Sequence, residues 1–152
     1  MRISLFSILG DLSGTSFLDL FAGTGVIGVE AASRGAEPVL LVEKDARKRS
    51  TIERNISFVQ SGIELVLAPV ERFLRNNTRS WDTIFLDPPF AFAEKKTILE
   101  AACAVPHLAP EGLSILHLHR AEAQQIEPAG LTLVDRRAYG QSVLLFYRRA
   151  EG

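Results

Sequence analysis

The stretch that decides the fold is Ser16 to Glu30, with the sequence SFLDLFAGTGVIGVE. It begins with a short run rich in strand formers, and glycines at 23, 25 and 28 follow directly, with a helical pattern from Val26. That order predicts a strand, a tight turn and a helix. Glycine permits positive φ and a close approach to the backbone, and the first N–H groups of a helix have no partner inside it. The turn is therefore expected to lie against a nucleotide-like ligand.

The same glycines match G-x-G-x-x-G, the pattern of dinucleotide-binding folds, and Glu43 follows at the spacing of a ribose-binding acid. Two features favour a different ligand. Asp19 lies inside the strand, four residues before Gly23, and Asp87-Pro88-Pro89-Phe90 ends a later strand. A dinucleotide enzyme needs neither.

At these residues the chain resembles the class I methyltransferases that use S-adenosylmethionine (SAM). Their first motif has an acidic residue just before a glycine-rich turn. The resemblance implies that Asp19 faces the positively charged methionine end of SAM and that Glu43 holds the ribose hydroxyls.

Length and composition fit a single domain, residues 1–152. With 152 residues, 47% of them hydrophobic, the chain is large enough to bury about two-thirds of its unfolded surface without metals or disulfides. The slightly apolar balance suits a parallel sheet that is covered on both faces.

Charge and special residues narrow the function classes. A net charge of −1 gives no overall electrostatic sign of a nucleic-acid partner. Cys103 has no second cysteine to pair with, and the histidines at 107, 117 and 119 lack partners at metal spacing, so we expect neither a disulfide nor a metal site. No apolar run approaches the roughly 20 residues of a membrane span, and no signal-peptide core follows Met1. We expect a cytoplasmic protein.

The rest of the chain alternates strand and helix patterns. Strands are predicted over 16–21, 38–43, 64–68, 82–87, 113–118, 131–136 and 142–147, and helices over 3–9, 26–34, 45–59, 70–76 and 95–105. Residues 106–112 have the pattern of a turn. The last two strands are expected to pair antiparallel because Tyr139-Gly140 leaves so short a connection. This order predicts an α/β fold, a doubly wound, mostly parallel, seven-stranded Rossmann-like sheet with a C-terminal antiparallel strand.

Asp87-Pro88-Pro89-Phe90 predicts chemistry at the end of the fourth strand, beside the glycine turn if the strand order reverses at the first strand. The two prolines remove backbone donors, so the loop presents acceptors only. A planar exocyclic amine is a poor nucleophile. The Asp87 carboxylate and the Pro88 carbonyl would accept hydrogen bonds from both N–H groups of such an amine, and Phe90 would stack on the substrate. The competing interpretation is a turn with an Asx-type hydrogen bond.

A closer resemblance covers nearly the whole chain. The residues that carry it are LDLFAGTGVIGVEAASRGA (18–36), VEKD (42–45), Asn55, DTIFLDPPF (82–90) and YGQSVLLFYRR (139–149). They are similar to the bacterial RsmD family, which methylates N2 of guanine 966 in 16S ribosomal RNA. The resemblance implies that the chain acts on 16S rRNA or the assembling 30S subunit, and we expect it to be a monomer. It also implies SAM contacts from Asp19, Phe21, Gly23, Gly25 and Glu43, amine binding by Asp87 and Pro88, and stacking by Phe90.

Two departures from the family qualify these expectations. Pro69-Val70 stands where the family has a side chain for the SAM adenine amine. The chain also starts at Met1-Arg2, whereas family members have a basic arm ahead of the first helix, so weaker RNA binding is expected.

Two other functions stay open. One is an amino methyltransferase with another target, such as adenine N6 of DNA or a protein glutamine, and the other is a catalytically idle SAM-binding domain.

Overall fold

The computed structural model describes residues 1–60, 62–89 and 92–151. They fall into two compact units, residues 1–76 and 77–152. All the helices and strands that the sequence predicts are present, with bounds that differ by a few residues. The expectation of a single domain stays a prediction.

The first unit is built from alternating helices and strands. In chain order these are α1 (Arg2–Leu9), β1 (Phe17–Asp19), α2 (Val26–Ser33), β2 (Val39–Glu43), α3 (Arg49–Ile56), β3 (Ile63–Leu67) and α4 (Val70–Asn76). A 3₁₀ turn, Ala46–Lys48, leads into α3. β2 pairs parallel with β1 and with β3. All residues of β1 and β2 are buried, as expected of strands that are covered on both faces.

Short sequence signals set the ends of these elements. Asp45 accepts the backbone N–H of Arg47 and caps the 3₁₀ turn, as its position predicts. Gly35, at a φ of 99°, ends α2. Its N–H donates to the carbonyl of Ala32, and the N–H of Ala36 donates to that of Ala31. This Schellman arrangement satisfies carbonyls that the helix leaves open.

α1 docks on the first unit through an aromatic contact. The rings of Phe6 and Phe17 are stacked with centroids 6.3 Å apart, and both side chains are fully buried. The guanidinium of Arg34 lies 5.3 Å from the centre of the Phe6 ring and donates to the Phe6 carbonyl. The helix predicted over 3–9 is thus present and packs on the first unit through Phe6.

The described residues of the second unit form four strands and one long helix. In chain order these are β4 (Trp81–Leu86), α5 (Phe92–Cys103), β5 (Leu108–His119), β6 (Leu131–Tyr139) and β7 (Ser142–Arg149). A 3₁₀ helix, Arg120–Gln125, follows β5. β4 and β5 pair parallel, whereas β7 pairs antiparallel with both β5 and β6.

β5 begins earlier than the sequence predicts, because residues 108–112, expected as part of a turn, belong to the strand. Trp81 pairs with Leu108 and Thr83 with Leu113, so β5 bulges between these pairs. A Cβ at Gly112 would lie 3.0 Å from the carbonyl oxygen and 3.1 Å from the backbone nitrogen of Ala109, so the close approach of the backbone here favours glycine. The Arg148 guanidinium donates to the carbonyl of Glu111 at 2.6 Å. A bulge looks like a turn in sequence because it uses the same residue types.

The strands of the first unit lie in the order β3-β2-β1, and those of the second unit in the order β4-β5-β7-β6. The predicted doubly wound, mostly parallel sheet with an antiparallel strand near the C-terminus is confirmed. Within the described ranges, no helix has the length and apolar character that crossing a bilayer requires.

Candidate functional site

The glycine turn follows β1 directly and depends on backbone angles that favour glycine. Gly23 has a φ of 60° and Gly25 a φ of 84°, in the left-handed region where a side chain is strained. The N–H of Gly25 donates to the carbonyl of Ala22 at 2.8 Å, and α2 begins at the next residue. The predicted strand, turn and helix are confirmed.

Gly28 serves packing. A Cβ at this position would lie 2.2 Å from Cδ2 of Leu41, so only glycine lets α2 approach β2 this closely. Gly23 differs, because no described atom lies within 4 Å of the place where its Cβ would stand. The space beside Gly23 is therefore open.

Asp19 ends β1 with a buried carboxylate, 1% exposed. Its Oδ1 accepts the backbone N–H of Phe21 at 3.2 Å, which turns the chain after the strand. Phe21 itself is half-buried. A buried carboxylate at the carboxyl end of a parallel strand suits a positively charged ligand group.

Glu43 ends the neighbouring strand β2 and is 9% exposed. Its Oε1 accepts the N–H of Gly23 at 2.8 Å, and its Oε2 accepts the N–H of Asp45 at 2.9 Å. The Lys48 ammonium lies 4.0 Å from Oε2. The sequence predicts only a ligand-binding role for this acid, whereas its hydrogen bond to Gly23 also stabilises the glycine turn.

Asn55 makes a second hydrogen bond that stabilises the glycine turn. Its Nδ2 donates to the carbonyl of Thr24 at 2.7 Å, joining α3 to the glycine turn. The family resemblance includes Asn55 without giving it a role. The structure thus brings five predicted residues of the first unit together at the carboxyl ends of β1 and β2, namely Asp19, Phe21, Gly23, Gly25 and Glu43.

The second predicted group follows β4. The Asp87 side chain is 48% exposed, and its Oδ1 lies 3.1 Å from Nδ1 of His117 on β5. Pro88 is buried and Pro89 is exposed. Phe90, predicted to stack on the substrate, lies outside the described residues. The sequence pattern indicated only that His117 has no metal-binding partners, and it gave no sign that this histidine lies beside Asp87.

An ion pair joins α5 to the 3₁₀ helix that follows β5. Lys95 on α5 forms an ion pair with Glu122 at 3.0 Å, and the lysine side chain is only 11% exposed. His119 accepts the N–H of Ala121 and caps the 3₁₀ helix that carries Glu122. Lys95 therefore serves the local structure of the second unit.

A metal site would need several ligating side chains close together. In the part of the chain that the structure describes, no group of three or more His, Cys, Asp or Glu side chains is arranged to hold a metal ion.

His107 has a structural role. Burial lowers the pKa of its imidazole. Its Nδ1 lies 2.8 Å from Nδ2 of Asn77, which makes this nitrogen an acceptor in a structural hydrogen bond.

Comparison with known proteins identifies relatives across almost the whole chain. The family model described as "Conserved hypothetical protein 95" matches residues 1–148. Ribosomal RNA small subunit methyltransferase D of Escherichia coli (strain K12) is 28% identical over 159 aligned positions, which cover 100% of this chain and 78% of the relative. The protein of the same name from Haemophilus influenzae is 29% identical over 128 positions, 81% of this chain and 66% of the relative.

A solved structure has the same fold. A conserved hypothetical protein from Streptococcus pyogenes superposes with a TM-score of 0.88 at 29% identity, over 99% of this chain and 96% of that chain. The agreement therefore extends over nearly the full length of both chains.

Proposed function

Because this chain belongs to the Conserved hypothetical protein 95 family, the family of RsmD, we propose that it transfers a methyl group from SAM to N2 of guanine 966 in 16S rRNA. Membership makes the chain a SAM-dependent rRNA methyltransferase. The proposal adds the nucleotide, the atom and the residues that act on it. We also propose that it works in the cytoplasm, on naked 16S rRNA or the assembling 30S subunit.

The observation that carries the proposal is the pair of buried carboxylates around the glycine turn. Asp19 is 1% and Glu43 is 9% exposed, and both stand at the carboxyl ends of adjacent parallel strands. The donor set fits SAM, since Asp19 can face its positive amino acid end and Glu43 can accept the ribose hydroxyls. The open space beside Gly23 gives the ligand access to the backbone. In the proposal, Phe21 and Gly25 complete the contact surface.

The chemistry places one demand on the rest of the chain. When bound, SAM supplies a methyl group on a positively charged sulfur, so the amine nitrogen forms the new N–C bond as the C–S bond breaks and sulfur keeps the electron pair. The protein must then hold the amine with its lone pair toward that carbon and stabilise the positive charge that develops on nitrogen.

Asp87 and Pro88 meet that demand in the proposal. The Asp87 carboxylate and the Pro88 carbonyl accept hydrogen bonds from the two N–H groups of guanine N2. The negative charge of Asp87 stabilises the nitrogen as it becomes positive. One N–H proton then leaves to solvent, which restores the neutral amine. Phe90, which lies outside the described residues, would stack on the base.

Mass analysis of 16S rRNA from cells that lack this protein tests the proposal. We expect the loss of a single N2-methylguanine at position 966, restored by the wild-type gene and not by an Asp87→Asn gene. Loss of a different modification would mean that the enzyme has another target. An unchanged set of rRNA modifications, together with retained SAM binding, would mean either a target other than rRNA, such as DNA adenine or a protein glutamine, or an idle SAM-binding domain.

A further inference from the structure

His117 stands beside Asp87 because of the register of two strands. β4 and β5 run parallel with Leu86 opposite Leu116, so the next residue of each strand comes alongside the other. Nδ1 of His117 lies 3.1 Å from Oδ1 of Asp87. The His117 side chain is 19% exposed, against 48% for Asp87, so a largely buried donor meets a partly exposed carboxylate.

The surroundings of the imidazole indicate which nitrogen carries the proton. An ionised carboxylate only accepts hydrogen bonds, so the 3.1 Å contact requires a proton on Nδ1. Nε2 is buried and has no hydrogen-bond partner among the described residues. A proton there would be a buried donor without an acceptor. The contacts therefore favour a neutral imidazole protonated on Nδ1.

We propose that His117 is a positioning residue for methyl transfer, which holds Oδ1 of Asp87 so that Oδ2 faces the substrate amine. This inference rests on the proposed function. Rotation about the last side-chain bond of an aspartate exchanges its two oxygens freely. A hydrogen bond to one oxygen stops that exchange and leaves the other oriented.

A neutral donor suits this task better than a cation. A lysine or arginine at the same place would offset the negative charge that Asp87 is proposed to direct at the developing ammonium nitrogen. The neutral imidazole orients the carboxylate and leaves its charge in place. His119, two residues further along β5, has a different job, because its ring accepts the N–H of Ala121.

Two substitutions separate positioning from packing. Asn at 117 puts an amide N–H close to the place of Nδ1, whereas Leu fills the space without a donor. We expect His117→Leu to lower kcat for rRNA methylation about tenfold, the scale of one lost hydrogen bond to a charged group, with SAM affinity within about twofold of wild type. His117→Asn should recover most of the rate. His119→Asn, which keeps a cap on the 3₁₀ helix, is the matched control and should match wild type.

Equal loss in His117→Leu and His117→Asn would overturn the inference, since it would point to packing. So would a wild-type rate in His117→Leu. Either result would leave the proposed function intact, because the wild-type enzyme in the same assay reports on that function alone. A wild-type chain that methylates no RNA would remove both.

A second readout needs no activity. In the full chain labelled with nitrogen-15, the His117 ring should show a protonated Nδ1 and an unprotonated Nε2, and Asp87→Ala should change that pattern. A proton on Nε2 in the wild-type chain would overturn the inference whatever the enzyme's rate.

Discussion

The Glu43 carboxylate accepts the backbone N–H of Gly23 at 2.8 Å through Oε1, while its Oε2 accepts the N–H of Asp45 at 2.9 Å. One acidic side chain thus joins the glycine turn to the chain that leaves β2. In the proposed function the same carboxylate also receives the ribose hydroxyls. Binding of SAM and the shape of the turn are therefore coupled through Glu43.

Glu43→Ala should weaken SAM binding by tenfold or more, because it removes a charge-assisted contact to the ligand and releases the Gly23 N–H. The free energy of unfolding should fall by about 1–3 kcal/mol, since the part-buried N–H groups of Gly23 and Asp45 lose a charged acceptor. Calorimetry with SAM and urea unfolding measure the two effects. Glu64→Ala, at an exposed position of β3, is the control. Wild-type SAM affinity in the Glu43 variant, or a preference of the wild-type chain for NAD, would contradict the proposed SAM site.

Asp87→Asn should separate catalysis from cofactor binding. The amide keeps the shape of the side chain, but it removes the negative charge and replaces one acceptor with a donor. SAM affinity should stay within a few-fold of wild type, while kcat falls by about 10²-fold or more. Asp135→Asn, at an exposed ion pair on β6, controls for a change of charge. Near-normal turnover in the Asp87→Asn variant would show that the negative charge of Asp87 does not contribute to methyl transfer.

Gly28→Ala tests the close approach of α2 to β2. Its Cβ would meet Cδ2 of the buried Leu41 at 2.2 Å, so α2 or the Leu41 side chain must shift, and overpacking of this kind costs about 1–3 kcal/mol of unfolding free energy. The shift also moves the glycine turn, so SAM affinity should fall. Gly62→Ala is the control, because its Cβ would have no contact below 3.4 Å. Equal stabilities for the two variants would show that α2 adjusts at no cost.

Alkaline pH should destabilise the second unit through Cys103. Burial raises the pKa of this thiol from 9.0 to about 11, so the unfolded chain loses the thiol proton at lower pH than the folded chain. The contribution of the protonated thiol to the free energy of unfolding, about 2–3 kcal/mol, is fully present below pH 9 and is lost as pH rises to 11. Burial also raises the pKa of Tyr147, to about 12, which adds a loss above pH 10.

Urea unfolding at a series of pH values from 8 to 11 measures that loss. Cys103→Ala should reduce the slope and leave the part that belongs to Tyr147. Identical slopes for the variant and the wild-type chain would show that Cys103 keeps its ordinary pKa in the folded protein.

Local signals made much of this fold predictable from sequence. Gly23 and Gly25 need left-handed backbone, Gly35 ends α2, and Asp45 caps the next turn, and each of these depends on residues only a few positions away. The same holds for the buried strand that ends in Glu43. Patterns of this kind predicted the order of the elements and the gathering of the acidic residues around the glycine turn.

Other features depend on residues far apart in sequence. The hydrogen bond between Asp87 and His117 joins residues 30 positions apart, and it follows from the register of β4 and β5. The bulge at Gly112 is held by Arg148, 36 positions away. Neither register nor long-range pairing leaves a local pattern, so the sequence predicted a turn at 106–112 and no role for His117.

The most direct measurement of the central claim is the position of a labelled methyl group. The purified chain is incubated with 30S subunits from cells that lack it and with SAM carrying a deuterated methyl group, and fragments of the 16S rRNA are analysed by mass spectrometry. The account predicts label on N2 of guanine 966 with the wild-type chain, and about a hundredth of that rate with Asp87→Asn. Label on another nucleotide or on a protein, or no label with the wild-type chain, would contradict it.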